Sequence, residues 1–250
     1  MSVIRALLVS TVFCLVGLLS ACDEEVEDLE NPAIAIDNLA AYQPVDGTFD
    51  VAVTATDDVG VDIVELLVDG EVAASSAEEP FGIAWDTTTA PSGIVEVVAR
   101  VTDGAGKTAE TAPVRVVVVN GGGESELDEG SEGQIVIPED YNGLQEIDVK
   151  HHWTSGADGA SRVISVLQWE IPEGDDPWEI RLDVGTGFCP HSGTSYATSE
   201  DFDASPIEFD VAPEGGFPAD TQLFVHLTTV NAFDHLGGTL PFNVRVYNFD

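Results

Sequence analysis

The strongest constraint on the fold of this chain is the period of its apolar residues. They recur every second position in short runs, and no segment repeats at the 3.6-residue spacing of a helix. In FDVAVTA, Phe49, Val51, Val53 and Ala55 lie on one side of an extended chain. In IVEVVARVTDG, Val95, Val97, Ala99 and Val101 take one side, and Glu96, Val98 and Arg100 the other. Alternation of this kind specifies strands with distinct faces. The Asp69-Gly70 pair between VDIVELLV and EVAAS is a two-residue hairpin signal. FGIAWD supplies one large aromatic, Trp85, for a small core, and PVRVVVVN closes the set. About seven short strands in roughly 90 residues predict a β-sandwich over 32–120.

After this region comes GGGESELDEGSEG, residues 121–133. Glycine loosens such a segment and like charges extend it, so it reads as a flexible linker and domain boundary. Residues 134–250 return to strand patterns: GLQEIDVKHHW, SRVISVLQWEI, WEIRLDVG, PIEFDV, TQLFVHLTTV and PFNVRVYNF. In the second of these, Val163, Ser165, Leu167 and Trp169 share one face, and Ile164, Val166 and Gln168 the other. Both faces are partly apolar, which marks a central strand. The expected fold class is therefore all-β: two antiparallel β-sandwich domains joined by a Gly/acidic linker, the second jelly-roll-like.

The N-terminus sets location. One cation, Arg5, precedes the apolar run ALLVSTVFCLVGLLSA, the plan of a secretory leader over 1–21. Leu19-Ser20-Ala21-Cys22 resembles a bacterial lipobox. That resemblance implies cleavage before Cys22 and acylation of its thiol, giving a membrane partner through an N-terminal lipid. Several acyl chains would make the attachment durable where one is marginal. Asp23 leaves the choice of membrane open, since bacterial groups read that position differently. Residues 22–31 continue as an acidic tether. The expected location is the bacterial cell envelope, on the extracytoplasmic side.

The chain holds 46 Asp plus Glu against 8 Lys plus Arg, a net charge of −38. A surface so negative repels nucleic acid and anionic lipid, favours solubility as a monomer, and leaves divalent cations as plausible ligands. Of three cysteines, Cys14 leaves with the leader and Cys22 takes the lipid. Cys189 is then the remaining thiol, and no internal disulfide can form.

A second resemblance rests on combined motifs. ATDDVGVDIVELLVDGEVAAS, EEPFGIAWDTTTAPSG and VVARVTDGAGKT together resemble a bacterial immunoglobulin-like domain over about 34–120. Lys107 stands where asparagine is common in that pattern. The resemblance implies a spacer, adhesion module or binding accessory rather than a catalyst. The second half resembles no family with confidence.

The candidate chemistry lies mostly in the second half. All five histidines fall there, with Cys189 in GTGFCPHSGTSY. Imidazole and thiolate are the usual ligands of zinc. Cys189, His191, His226, His235 and the His151–His152 pair form a candidate Zn²⁺ set, although no spacing matches a strong motif. The bland reading is a set of structural or surface histidines. Cys189 beside His191 also permits a nucleophile, but a buried free thiol is commonly a core residue. There is no G-x-S-x-G elbow and no H-E-x-x-H pair, so the reading is non-catalytic. In the first half, Asp57, Asp58, Asp62 and Asp103 sit at strand ends and form a candidate Ca²⁺ set; the bland reading is turn capping. Trp153, Trp178 and Tyr196 are a candidate platform for a glycan or envelope-protein partner, while Trp169 reads as core. The leading functional expectation is a structural, adhesion or ligand-binding lipoprotein with an Ig-like spacer, and the rival is a metal-dependent binding or enzymatic domain.

Overall fold

The computed structural model describes residues 28, 30–143, 148–155, 159–171, 178–186, 194–198, 205–229 and 232–250. Residues 1–27, where the leader and the lipid-bearing Cys22 are expected, lie outside this set, as do Cys189 and His191. Among the described residues no helix is long and apolar enough to cross a membrane.

The first domain contains β1 (Ala33–Ile36), β2 (Pro44–Val45), β3 (Thr48–Thr56), β4 (Val61–Val68), β5 (Glu71–Ser76), β6 (Phe81–Asp86), β7 (Gly93–Asp103), β8 (Thr108–Glu110) and β9 (Val114–Val118). One sheet has the order β1-β3-β6. The other runs β2-β9-β7-β4-β5, with β8 also on β7. All pairings are antiparallel except the short parallel pair β2–β9. The alternation read from sequence forms the core: Val51, Val53, Ala55, Val95, Val97, Ala99 and Val101 are buried around Trp85. Val68 pairs with Glu71 across the Asp69-Gly70 turn. Both turn residues have positive φ, +49° and +84°, as a type I′ turn requires.

The second domain contains β10 (Gly122–Glu124), β11 (Glu132–Val136), β12 (Asp148–Thr154), β13 (Arg162–Trp169), β14 (Ile180–Thr186), β15 (Ser195–Thr198), β16 (Ile207–Val211), β17 (Gln222–Thr229) and β18 (Thr239–Phe249). One sheet runs β10-β18-β13-β16, with β11 also on β18, and the other β12-β17-β14-β15. Strands 11 to 18 thus divide as β11-β18-β13-β16 facing β12-β17-β14-β15, which is jelly-roll order. Trp153, Trp178, Leu182, Leu223, Val225, Val244 and Val246 lie in the core between the sheets.

The segment expected to be a flexible linker differs. Gly122–Glu124 pairs with Tyr247–Phe249, and Glu132–Val136 pairs with Thr239–Asn243. Leu127 packs into the second core. The open edge of β18 supplies backbone partners, and glycine permits close approach: a Cβ on Gly122 would sit 2.2 Å from the Asn248 carbonyl oxygen. Pairing overrides the composition.

A third apolar cluster joins the two domains. It contains Tyr42, Val117 and Val119 from the first domain, with Ile164, Val166, Tyr247 and Phe249 from the second. This explains two continuous apolar runs. In PVRVVVVN, Val116 and Val118 enter the first core while Val117 and Val119 enter the seam. In β13, Ile164 and Val166 form a second apolar face because it meets the other domain. Polar contacts frame the seam. Arg245 Nη1 donates to the Tyr42 carbonyl at 3.0 Å, and the Tyr247 hydroxyl donates to the same oxygen. The Tyr42 hydroxyl donates to Glu208, which also pairs with Arg115 at 2.8 Å. Arg162, held by Asp210, donates to the Ser92 carbonyl at 2.8 Å. Gly93 makes room there, since a Cβ would lie 2.8 Å from the Arg162 guanidinium. Burial raises the Tyr247 phenol to about 12, so it remains a donor at neutral pH.

Candidate functional site

Three features carry chemistry. The first is a groove of about 610 Å³ at one end of the second domain, lined by residues of β11, β13 and β18 and by Ser205 and Pro206. Cross-strand register places Gln168 opposite Asn243, and Asn243 opposite Glu132. These three therefore form a polar row on one face of three adjacent strands. The next row is Trp169, Phe242 and Gly133, and it belongs to the core side. Gly133 is required, because a Cβ there would lie 2.4 Å from the Phe242 ring. The groove thus presents amide donors and acceptors with the carboxylates of Glu132 and Glu170, while the Trp169 and Phe242 rings close its inner side and are buried in the core. In the sequence its local signal is Gln168, a polar residue in an apolar strand.

The second feature is an acidic cluster at one end of the first domain. Among the described residues, Asp28, Asp57 and Asp103 form the one group of three or more His, Cys, Asp or Glu side chains with ligating atoms within 4.8 Å of one another. Asp57 follows β3, and its Oδ2 accepts from the Val59 and Gly60 amides at 2.9 and 3.0 Å. Asp103 ends β7, and its Oδ1 accepts from the Ala105 and Lys107 amides at 2.9 and 2.8 Å. The Gly104 amide donates to the Gly60 carbonyl at 3.0 Å, tying the two turns together. Asp28 arrives from the tether, and its Oδ1 accepts from Lys107 Nζ at 2.8 Å. That hydrogen bond and the neighbouring carboxylates hold the Lys107 ammonium above its usual range, against some desolvation. Of the candidate Ca²⁺ set, Asp57 and Asp103 converge, while Asp58 and Asp62 are exposed and lie outside the cluster. By composition Asp28 belongs to the acidic segment before β1. No local pattern links it to turns so far along the chain.

The third feature is the histidines, which do not gather. His151 is buried; its Nδ1–H donates to the Gly130 carbonyl at 2.7 Å, and its ring meets Phe242 edge-on. His152, the next residue, projects from the opposite face of β12 and contacts Glu129 at 2.7 Å. His226 lies 3.7 Å from Asp183. His235 stacks on Trp178 with ring centroids 4.1 Å apart. Strand alternation sends adjacent positions to opposite faces, so the described members of the candidate Zn²⁺ set do not share a site; Cys189 and His191 fall outside the described residues. The aromatic platform is also corrected. Trp153 and Trp178 are fully buried and Tyr196 packs against the same core, because large rings fill the space between the sheets.

Two buried groups give the second domain acid sensitivity. Desolvation holds the His151 pKa below its ordinary value, against the Gly130 hydrogen bond and the Glu129 charge. The unfolded chain therefore takes up this proton first. Stability is full above about pH 6.5 and declines as pH falls through the folded-state value. Asp183 acts lower. Burial opposes its ionisation, but the neighbouring His226 imidazole, the hydrogen bond from Thr198 and the Arg181 charge outweigh burial and keep it below the usual range. Its contribution is present above about pH 4 and is lost below that. Denaturant melts from pH 8 to pH 3 are expected to show both windows. His151→Phe should flatten only the upper one, and an unchanged upper slope would refute the assignment.

Residues 32–121 match the family described as bacterial Ig domain, and that part of the chain is similar to it. No curated protein matches the chain. Among solved structures, the chain is similar to the fibronectin(III)-like modules of Clostridium thermocellum CbhA at 18% identity, covering 34% of this chain and 94% of that one, with a TM-score of 0.32. It is similar to the endo-beta-1,4-mannanase of Thermotoga petrophila at 20% identity over 38% of this chain, with a TM-score of 0.31. The match spans about a fifth of the mannanase, 21% of its length. A carbohydrate-binding module of the beta-sandwich superfamily aligns at 12% identity over 87% of this chain and 96% of its own, with a TM-score of 0.28.

Proposed function

We propose that this chain is a lipid-anchored, extracytoplasmic binding protein whose jelly-roll domain takes up a neutral glycan in the groove over Gln168, Asn243 and Glu132. The polar row of Gln168, Asn243 and Glu132 along the groove is the observation that carries the reading. Sugars present hydroxyl groups that hydrogen-bond to amides and carboxylates, and this groove offers both kinds of partner. The net charge of −38 disfavours anionic polysaccharides and leaves neutral ones as the matching class. The Ig-like domain carries the binding domain, and the lipid expected on Cys22 holds the protein at the envelope. The described histidines do not converge, so the metal-dependent alternative has no geometric support among them.

Two measurements test this. The full chain, purified in detergent, is titrated with soluble neutral polysaccharides. Each lost neutral hydrogen bond is worth about 1 kcal/mol, so Asn243→Ala with Gln168→Ala should weaken binding about tenfold or more without altering the melting curve. Failure of the wild-type chain to bind any neutral glycan would refute the glycan assignment. For the anchor, Cys22→Ser is expected to move the protein from the membrane pellet to the soluble fraction and to abolish labelling by palmitate. Retention of label on the variant would refute the site.

A further inference from the structure

We propose that Asp28, Asp57 and Asp103 bind one Ca²⁺ ion, and that this ion fastens the N-terminal tether to the Ig-like domain. The argument is independent of the glycan reading and starts from unsatisfied oxygens. Each of the three carboxylates commits one oxygen to hydrogen bonds within the protein. Each has a second that is buried and without a hydrogen-bond partner: Asp28 Oδ2, Asp57 Oδ1 and Asp103 Oδ2. Asp103 is only 1% exposed, and the Asp28 side chain only 8%. A buried carboxylate oxygen facing other carboxylates is costly unless a cation meets it.

Spacing and charge select the ion. Calcium binds oxygens at 2.3–2.6 Å, so ligands on opposite sides of it stand about 5 Å apart. The 4.8 Å limit on this group falls within that span. Lys107 balances one of the three negative charges, through an oxygen of Asp28 that is not among the unpartnered ones. The two negative charges left over match one divalent cation. The donors are hard oxygens, which suit calcium and not the soft transition metals. Calcium also tolerates irregular geometry and completes its shell with water or backbone carbonyls.

The consequence is structural. Asp57 and Asp103 belong to two turns already joined by the Gly104–Gly60 hydrogen bond. Asp28 comes from outside the sandwich. An ion shared by all three pins the chain at the point where it enters the domain, alongside the contacts of Lys107 Nζ with the Asp28 and Glu30 carbonyls at 3.1 and 2.7 Å. Calcium therefore shortens the free part of the tether and fixes how the domain leaves the membrane anchor.

The test uses the full chain in detergent after treatment with a chelator. Calorimetric titration with CaCl₂ should show one ion per chain, with Kd on the order of 10⁻⁴ to 10⁻³ M, as in extracellular modules. Asp28→Asn and Asp103→Asn are each expected to weaken binding about tenfold or more, whereas Asp58→Asn retains wild-type affinity. Calcium should also slow cleavage of the tether by a glutamate-specific protease in the wild-type chain and not in Asp28→Asn. Asp28 lies outside the sandwich, so its variant remains informative even if Asp103→Asn fails to fold. Absence of stoichiometric binding at about 10 mM Ca²⁺, roughly ten times the weakest Kd expected, overturns the site. So does wild-type affinity in Asp28→Asn.

Discussion

Ile164→Asp is expected to split the thermal unfolding of this protein from one transition into two. Ile164 is 1% exposed and lies in the seam with Val117, Val119, Val166, Tyr247 and Phe249. The substitution removes a buried aliphatic side chain, a loss of about 2–5 kcal/mol for comparable truncations. It also places a carboxyl group in an apolar seam whose bordering guanidinium groups are already engaged, Arg162 with Asp210 and Arg245 with the Tyr42 carbonyl, which adds desolvation cost. Each domain keeps its own core, so neither loses its internal packing. What fails is the coupling. Differential scanning calorimetry reads the number of transitions, and small-angle scattering reads the spread of the two domains. A single unchanged transition in the variant would show that the seam does not couple the domains. Tyr247→Phe is a milder companion. It removes one of two donors to the Tyr42 carbonyl and should cost about 1 kcal/mol.

The second large effect concerns Trp178. Trp178→Ala is expected to destabilise the second domain by about 3–5 kcal/mol. The indole is fully buried and stacked against His235, and a Cβ on Gly238 would approach it to 3.1 Å. Little in so tight a site can collapse into the space left behind. At roughly 2–4 °C per kcal/mol for a cooperative unit of this size, the melting temperature should fall by about 6 °C or more. Glycan affinity measured well below the new midpoint should not change, because the ring is sealed from solvent. The opposite pattern, lost binding with an unshifted melt, would restore Trp178 to a ligand-contacting role.

These two residues also mark where sequence reading succeeds and where it stops. The pairing of Val95, Val97, Ala99 and Val101 on one face was legible, since strand alternation is local and burial follows it. The Asp69-Gly70 turn was legible for the same reason: two residues with positive φ favour that pair wherever they stand. Trp178 was misplaced as an exposed platform because flanking Pro, Gly and acids resemble a surface loop, and burial depends on what packs above. The Gly/acidic segment at 121–133 has linker composition, yet the free edge of β18 draws Gly122–Glu124 into a sheet. Backbone pairing is nearly blind to side chains, so composition could not announce it.

The candidate sites divide in the same way. Asp57 and Asp103 each carry a local turn signature and were found. Asp28 joins them only through contact with residues far along the chain. The groove over Gln168 and Asn243 depends on cross-strand register, which sets three distant side chains in one row.

Sequence alone therefore determined the strand class, the first domain's faces and hairpin, and the acidic charge. All of these follow from neighbours a few residues apart. Tertiary structure decided the seam between the domains, the burial of the tryptophans, the dispersal of the described histidines and the meeting of three carboxylates. Each of those depends on which distant surfaces bury one another, a choice made by the free energy of the whole packed chain rather than by any one stretch of it.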